Sequence, residues 1–140
     1  MDTTILVIDR DGWYLEQLGR MLTWGGYRQT LCLNEADAVA GLPELQPGLV
    51  LLGIYPDEGE RRWELLRRLR STPATASTAL ILCSSDLELW HQALQADLTR
   101  NCTFLRKPFQ TDLVLSEVRA QLSGLGTRIV GGLGAASGIL

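Results

Sequence analysis

The groups in this chain that could do chemistry fall at four places, each at the end of an apolar run. "ILVI" leads into Asp9, Arg10 and Asp11, and "LVLLG" ends in Gly53. "ALILC" leads into Ser84 and Ser85, and "CTFL" leads into Lys107 and Pro108. An acidic turn, a hydroxyl and a lysine brought together would suit phosphoryl chemistry with a divalent metal. Carboxylates hold a hard cation through oxygen, and a lysine beside a hydroxyl steadies the charge of the transferring group. No Gly-rich phosphate loop occurs, so nucleotide binding is not supported. The sole histidine, His91, falls in a helical stretch, which leaves no nucleophile–His–acid set.

The elements that must position these groups come from one domain's worth of chain, 140 residues. That length buries about two-thirds of its extended surface on folding. The apolar share is 46%, the charged share 21% and the net charge −3, so there is no basic patch to favour nucleic acid. Cys32, Cys83 and Cys102 are odd in number, form no CxxC pair and sit in or beside apolar runs. They read as buried reduced thiols, and one histidine is too few for a zinc site of the usual kind. No basic flank precedes an apolar N-terminal run, and no stretch of about 18 apolar residues could span a membrane. The expected setting is the cytoplasm, without membrane or nucleic-acid partners.

Strands are expected over "TTILVI", about Arg28–Leu33, Leu49–Gly53, "TALILC" and "CTFL". Helices alternate with them. The first places Leu15, Leu18, Met21 and Leu22 on one face and stops at Gly25 and Gly26. The second starts at an Asn34 cap and is ended by Pro43. The third, "ERRWELLRRLR", turns Leu65, Leu66 and Leu69 inward and spaces Glu64 and Arg68 for an i,i+4 pair. "SSD" caps a fourth helix through Leu94, and Thr111 or Asp112 caps a fifth with Val114, Leu115, Val118 and Leu122 inward. Near-continuous apolar strands between helices specify an α/β class, a doubly wound (βα)5 sandwich around a five-stranded parallel sheet. Such sheets react at the carboxyl ends of their strands, where the strand order switches. Residues 123–140, "SGLGTRIVGGLGAASGIL", have six glycines in eighteen residues and read as a flexible tail or linker to a 1–122 domain.

In these pieces the chain resembles the receiver domain of two-component response regulators, a flavodoxin-like fold. "ILVIDRD", "LVLLGI", "WELLRRLR", "LILCSSD" and "FLRKPF" come in the family's order and spacing across about residues 4–122. The resemblance implies an aspartate at the end of the third strand that takes a phosphoryl group from a histidine kinase. It also implies two acids after the first strand that hold magnesium, a hydroxyl, a lysine and a switch aromatic. Asp9 matches the first acid, Ser84 the hydroxyl, Lys107 the lysine and Phe104 the aromatic. Arg10 stands where the second acid belongs, with Asp11 beside it, and Gly53 stands where the phosphoacceptor belongs. Pro56 comes one position early, Trp63 one position late, and "DLTRN" is about two residues longer than usual.

Glycine carries no carboxylate, so position 53 cannot form an acyl phosphate. Arg10 or Lys107 could satisfy Asp9 in place of a metal; at about 4 Å such a pair is worth roughly 4 kcal/mol of gross Coulomb energy near a surface. The expectation is therefore a degenerate receiver that signals by protein contacts, with magnesium binding weak or absent, no cofactor and no catalysis. Its partners would be signalling proteins such as a histidine kinase or an output domain, or a second copy meeting through the fourth helix, fifth strand and fifth helix. Trp90, on that helix, is a candidate interface anchor, with core packing as the alternative role. Three rival readings stand beside it. Asp57 or Glu58 could be a displaced phosphoacceptor, Ser84 and Lys107 could hold a small anion or ligand in the vacated pocket, and the arginines of the third helix could meet an acidic partner. Restoring both acids, Gly53→Asp with Arg10→Asp, is expected to restore magnesium binding if nothing else in the pocket has drifted.

Overall fold

A computed structural model describes residues 4–124 and 128–131. The strands are β1 (Thr4–Ile8), β2 (Arg28–Cys32), β3 (Leu49–Gly53), β4 (Ala79–Ser84), β5 (Cys102–Arg106) and β6 (Arg128–Gly131). The helices are α1 (Gly12–Trp24), α2 (Glu35–Leu45), α3 (Arg61–Ser71), α4 (Leu87–Gln95) and α5 (Thr111–Leu122). All strands pair in parallel, in the order β2-β1-β3-β4-β5-β6. The first five give the expected doubly wound arrangement.

Period-2 alternation along each strand divides the core between the two faces of the sheet. Leu6, Ile8, Val50, Leu52, Leu80 and Leu82 point to one face, against Leu65, Leu66 and Leu69 of α3 and Trp90 of α4. Ile5, Val7, Leu49, Leu51, Ile81 and Cys83 point to the other, against Leu15 and Leu18 of α1 and Val114 and Val118 of α5. Every residue of β3 is buried, as its unbroken apolar run requires. Among the described residues no helix is long and apolar enough to cross a membrane.

Four local expectations are corrected. Residues 128–131, expected within a flexible tail or linker, form β6 against the outer edge of β5, while 125–127 and 132–140 lie outside the described residues. Ile129 and Val130 supply the β-branched character, and the glycine count around them hides it. Pro43 does not end α2. It costs one hydrogen bond in the final turn, but the Gln46 N–H still reaches Leu42 O at 3.0 Å and the helix runs to Leu45. The cap of α5 is Gln110, one residue before Thr111, and it makes no side-chain cap bond. Glu64 and Arg68 form no ion pair with each other; on α3 Arg67 reaches Glu60 instead, at 3.6 Å.

The thiols follow burial. Cys83 and Cys102 are buried, and loss of solvent pushes both up to about 12, whereas Cys32 lies part-buried on edge strand β2. A thiol reagent added to native protein is expected to modify Cys32 well before the other two. Equal rates at all three, followed by mass spectrometry of the labelled peptides, would mean that β4 and β5 open far more readily than their burial implies.

Candidate functional site

The carboxyl ends of β1, β3 and β5 bring three groups into one buried cluster. Asp9 directly follows β1, Tyr55 lies two residues past β3, and Lys107 directly follows β5. Asp9 and Lys107 are both buried, and the Lys107 ammonium donates to Asp9 Oδ2 at 2.9 Å. It also donates to the Tyr55 hydroxyl at 2.9 Å. That hydroxyl donates in turn to Asp9 Oδ1, which also accepts the Asp11 backbone N–H at 2.9 Å. Three protein donors thus engage both oxygens of the carboxylate. The ammonium sits 3.9 Å from the centre of the Tyr14 ring and 4.6 Å from that of Tyr55. Lysine has three N–H donors, so two oxygens and an aromatic face satisfy it without water.

Gly53 explains how Asp9 fits. A Cβ built at position 53 would lie 2.1 Å from Asp9 Oδ2 and 2.5 Å from its Cγ. The glycine is not in the left-handed region, so its backbone makes no demand for glycine. The demand is for space: the Asp9 carboxylate occupies the volume that any side chain at position 53 would need. Position 53 and Asp9 are therefore one packing unit, joined across the β1–β3 pair, where Ile8 stands in register with Leu52.

The remaining expected site residues are placed as follows. Arg10 does not reach Asp9. It lies outside the cluster, its guanidinium 4.0 Å above the Tyr55 ring, and pairs with Asp57 at 2.8 Å. Asp57 sits on the short 3-10 turn Pro56–Glu58, and the Arg10 hydrogen bond holds its carboxyl below the usual range. Both partners are well exposed, so the pair adds little stability. Asp11 is not in the pocket either; it is the exposed N-cap of α1, accepting the Trp13 N–H at 2.9 Å. Ser84 is buried, and its hydroxyl accepts the Asp86 N–H at 3.1 Å, a turn that leads into α4. Phe104 is buried in β5 against Trp90, their ring centres 5.7 Å apart.

That last contact decides between the two roles open to Trp90, and the surface-anchor role falls. Its exposure is 1%, because Leu89, Trp90 and Ala93 form the inward face of α4. The exposed tryptophans are Trp13 at 63% and Trp24 at 77%, both on α1.

Tyr55 is the site residue that the sequence reading missed. Its only signal is an aromatic two residues beyond the strand end, in a loop whose proline is already out of step. Burial and the hydrogen bond to Asp9, reinforced by that carboxylate's charge, raise its pKa well above the ordinary 10.0. The folded state therefore keeps its proton where the unfolded chain loses it. The unfolded state binds fewer protons above about pH 10, so stability falls as pH rises through that value. In Tyr55→Phe this part of the alkaline loss is expected to vanish, and the missing hydroxyl to cost about 1–3 kcal/mol at neutral pH. Urea melts of both proteins at neutral pH and above pH 10 check this; parallel losses would mean that Tyr55 titrates freely.

Comparison with known structures settles the architecture. No protein-family model matches the sequence, and no curated protein matches it. Solved structures do match. A response regulator receiver domain from Methanospirillum hungatei superposes with a TM-score of 0.74 at 18% identity, over 88% of this chain and 95% of its own. The signal receiver domain of a signal transduction histidine kinase from Syntrophus aciditrophicus gives 0.73 at 25% identity, over 88% and 92%. The fold is that of a receiver domain. A response regulator from Thermotoga maritima agrees, with a TM-score of 0.74 at 23% identity over 88% and 99%. Asp9, Gly53 and Lys107 lie at the carboxyl ends of β1, β3 and β5, and β6 extends the sheet beyond its first five strands.

Proposed function

We propose that this chain is a receiver-type signalling module that acts through protein contacts and takes no phosphoryl group at the end of β3. One observation carries the reading: the space for a phosphoacceptor side chain is filled by the Asp9 carboxylate, held there by Lys107 and Tyr55. The Tyr55 hydroxyl stands between the acid and the lysine, where it bonds to both. In this account it keeps the pocket in one arrangement without an added ligand.

The donor set does not suit magnesium. The ion needs near-octahedral oxygen ligands, whereas both Asp9 oxygens are engaged by protein donors and the neighbouring side chain is the Arg10 cation. Asp57 is a poor replacement phosphoacceptor, because its carboxylate is paired with Arg10 on the outer side of the Tyr55 ring. In-line transfer depends on close placement of acceptor and donor, and Asp57 is instead engaged by Arg10 at the exposed surface. We take the module's output to be binding of a signalling partner, such as a histidine kinase or an output domain, with no catalysis of its own. Any dimer through α4, β5 and α5 would have to form without Trp90 as its anchor and with β6 along the β5 edge.

The test is a backbone-amide NMR titration with magnesium and beryllium trifluoride, a phosphoryl mimic. The proposal expects no saturable shift at Asp9, Gly53 or Lys107. Saturable shifts there, dependent on both components, would show a working pocket.

A further inference from the structure

Beside the filled pocket lies an open cleft of about 690 Å³ between α2 and α3. Its position is where α/β sheets hold ligands, outside the carboxyl ends of β1 and β3 at the switch in strand order. Its volume falls within the usual span for small-molecule sites, roughly 300–1,000 Å³. The floor is apolar: Ile8 and Leu52 from the strands, Val39 from α2 and Leu65 from α3. The rim is charged in both senses. Arg61 and Arg68 stand two turns apart on one face of α3, with Glu64 between them, and Glu35 faces them from the first turn of α2. Among the described residues none of these four makes an ion pair.

Two guanidinium groups and two carboxylates without an ion pair, over an apolar floor, match a ligand that also carries both charges. A simple anion would meet Glu35 and Glu64, and a simple cation would meet Arg61 and Arg68. We propose that this cleft binds a small zwitterion with an apolar body, of the short-peptide class, with Arg61 and Arg68 taking its carboxylate and Glu35 its ammonium group. Glu35 supports the orientation. Its carboxyl is held above the usual range by burial and by the nearby charge of Glu58, with Arg61 opposing the rise and Glu64 adding to it, so the carboxyl still favours an incoming cation. Arg10 and Gly53 border the cleft as well as the Asp9 cluster, so an occupant would be felt at the Tyr55 ring through the stacked Arg10. The inference stands apart from phosphotransfer, since none of the four rim groups belongs to the buried cluster.

The experiment is a titration of the full chain with trileucine, followed by backbone-amide NMR, beside N-acetyl-trileucine and trileucine amide. Trileucine is expected to shift amides of residues 35–40 and 61–68 saturably, and each capped peptide to bind at least about tenfold more weakly, or 1.4 kcal/mol. Arg68→Gln should weaken trileucine without changing the spectrum of the Asp9 cluster, and Val39→Trp, which fills the floor, should abolish binding. If Val39→Trp does not fold, Ala40→Leu serves the same purpose. Absence of saturable shifts with trileucine, equal binding of the capped peptides, or unchanged binding by the filled-cleft variant would overturn the proposal.

Discussion

Lys107→Met is expected to lower the free energy of unfolding by about 3–5 kcal/mol, the usual loss when one partner of a buried ion pair is removed. The side chains of Lys107 and Asp9 are 4% and 0% exposed, so the methionine variant leaves a carboxylate with neither counter-charge nor water. The Tyr55 hydroxyl and the Asp11 N–H still donate to it, but neither brings a charge. Most of the loss is therefore the penalty of a stranded charge and only a small part is the net worth of the pair. That distinction is testable in a double-mutant cycle. With Asp9→Asn added, the amide can still accept from Tyr55 and Asp11, and no charge is left unpaired. The double variant should be less destabilised than the sum of the two single changes, by at least about 1 kcal/mol. Strict additivity in urea melts would mean that the two groups do not share a site. A typical domain has only about 5–15 kcal/mol of total stability, so the single change alone is a large fraction of it.

Gly53→Ala should be the second most damaging small change, by about 1–3 kcal/mol from overpacking and more if the cluster breaks. Glycine to alanine in an ordinary strand is usually favourable, because alanine restricts the unfolded chain. Here the new methyl would sit 2.1 Å from Asp9 Oδ2, and the carboxylate cannot swing aside without leaving Lys107 and Tyr55. The sign should reverse once that obstacle is gone. In an Asp9→Ala background the same substitution is expected to be neutral or stabilising by about 0.4–1 kcal/mol. An equal cost in both backgrounds would place the clash somewhere other than Asp9. The same geometry revises the outlook for Gly53→Asp with Arg10→Asp. The new Cβ at position 53 would meet the Asp9 carboxylate that Lys107 and Tyr55 hold in place, so recovery of magnesium binding should also need Tyr55→Ala to free that carboxylate.

Much of this architecture was readable because burial writes itself into strands and helices by simple periods. Leu49–Gly53 is apolar without interruption, and all five residues are buried between two helical layers. Asp9 and Ser84 were legible because each directly follows an apolar run, and Lys107 because it stands one residue beyond one. What they do was not, since it depends on side-chain direction. Arg10 and Asp9 are adjacent in sequence yet part ways, one stacked on Tyr55 in solvent and the other buried beneath it. Tyr55 escaped notice because a loop has no period to betray which residue turns inward. Trp90 stood open between interface and core in the sequence, and the stripe of Leu89, Trp90 and Ala93 on its helix decides for the core. Glycines hid β6, since a four-residue edge strand leaves too short a pattern to stand out in a Gly-rich stretch.

The claim on which the rest depends is that the end of β3 takes no phosphoryl group because Asp9, clamped by Lys107 and Tyr55, fills its place. The most direct measurement is the intact mass of the full chain after incubation with magnesium and a small acyl phosphate donor. The account predicts an unchanged mass, with the same result for Asp57→Asn. A stoichiometric adduct of one phosphoryl group, labile to base, would contradict it, and loss of that adduct in Asp57→Asn would move the acceptor to the loop after β3.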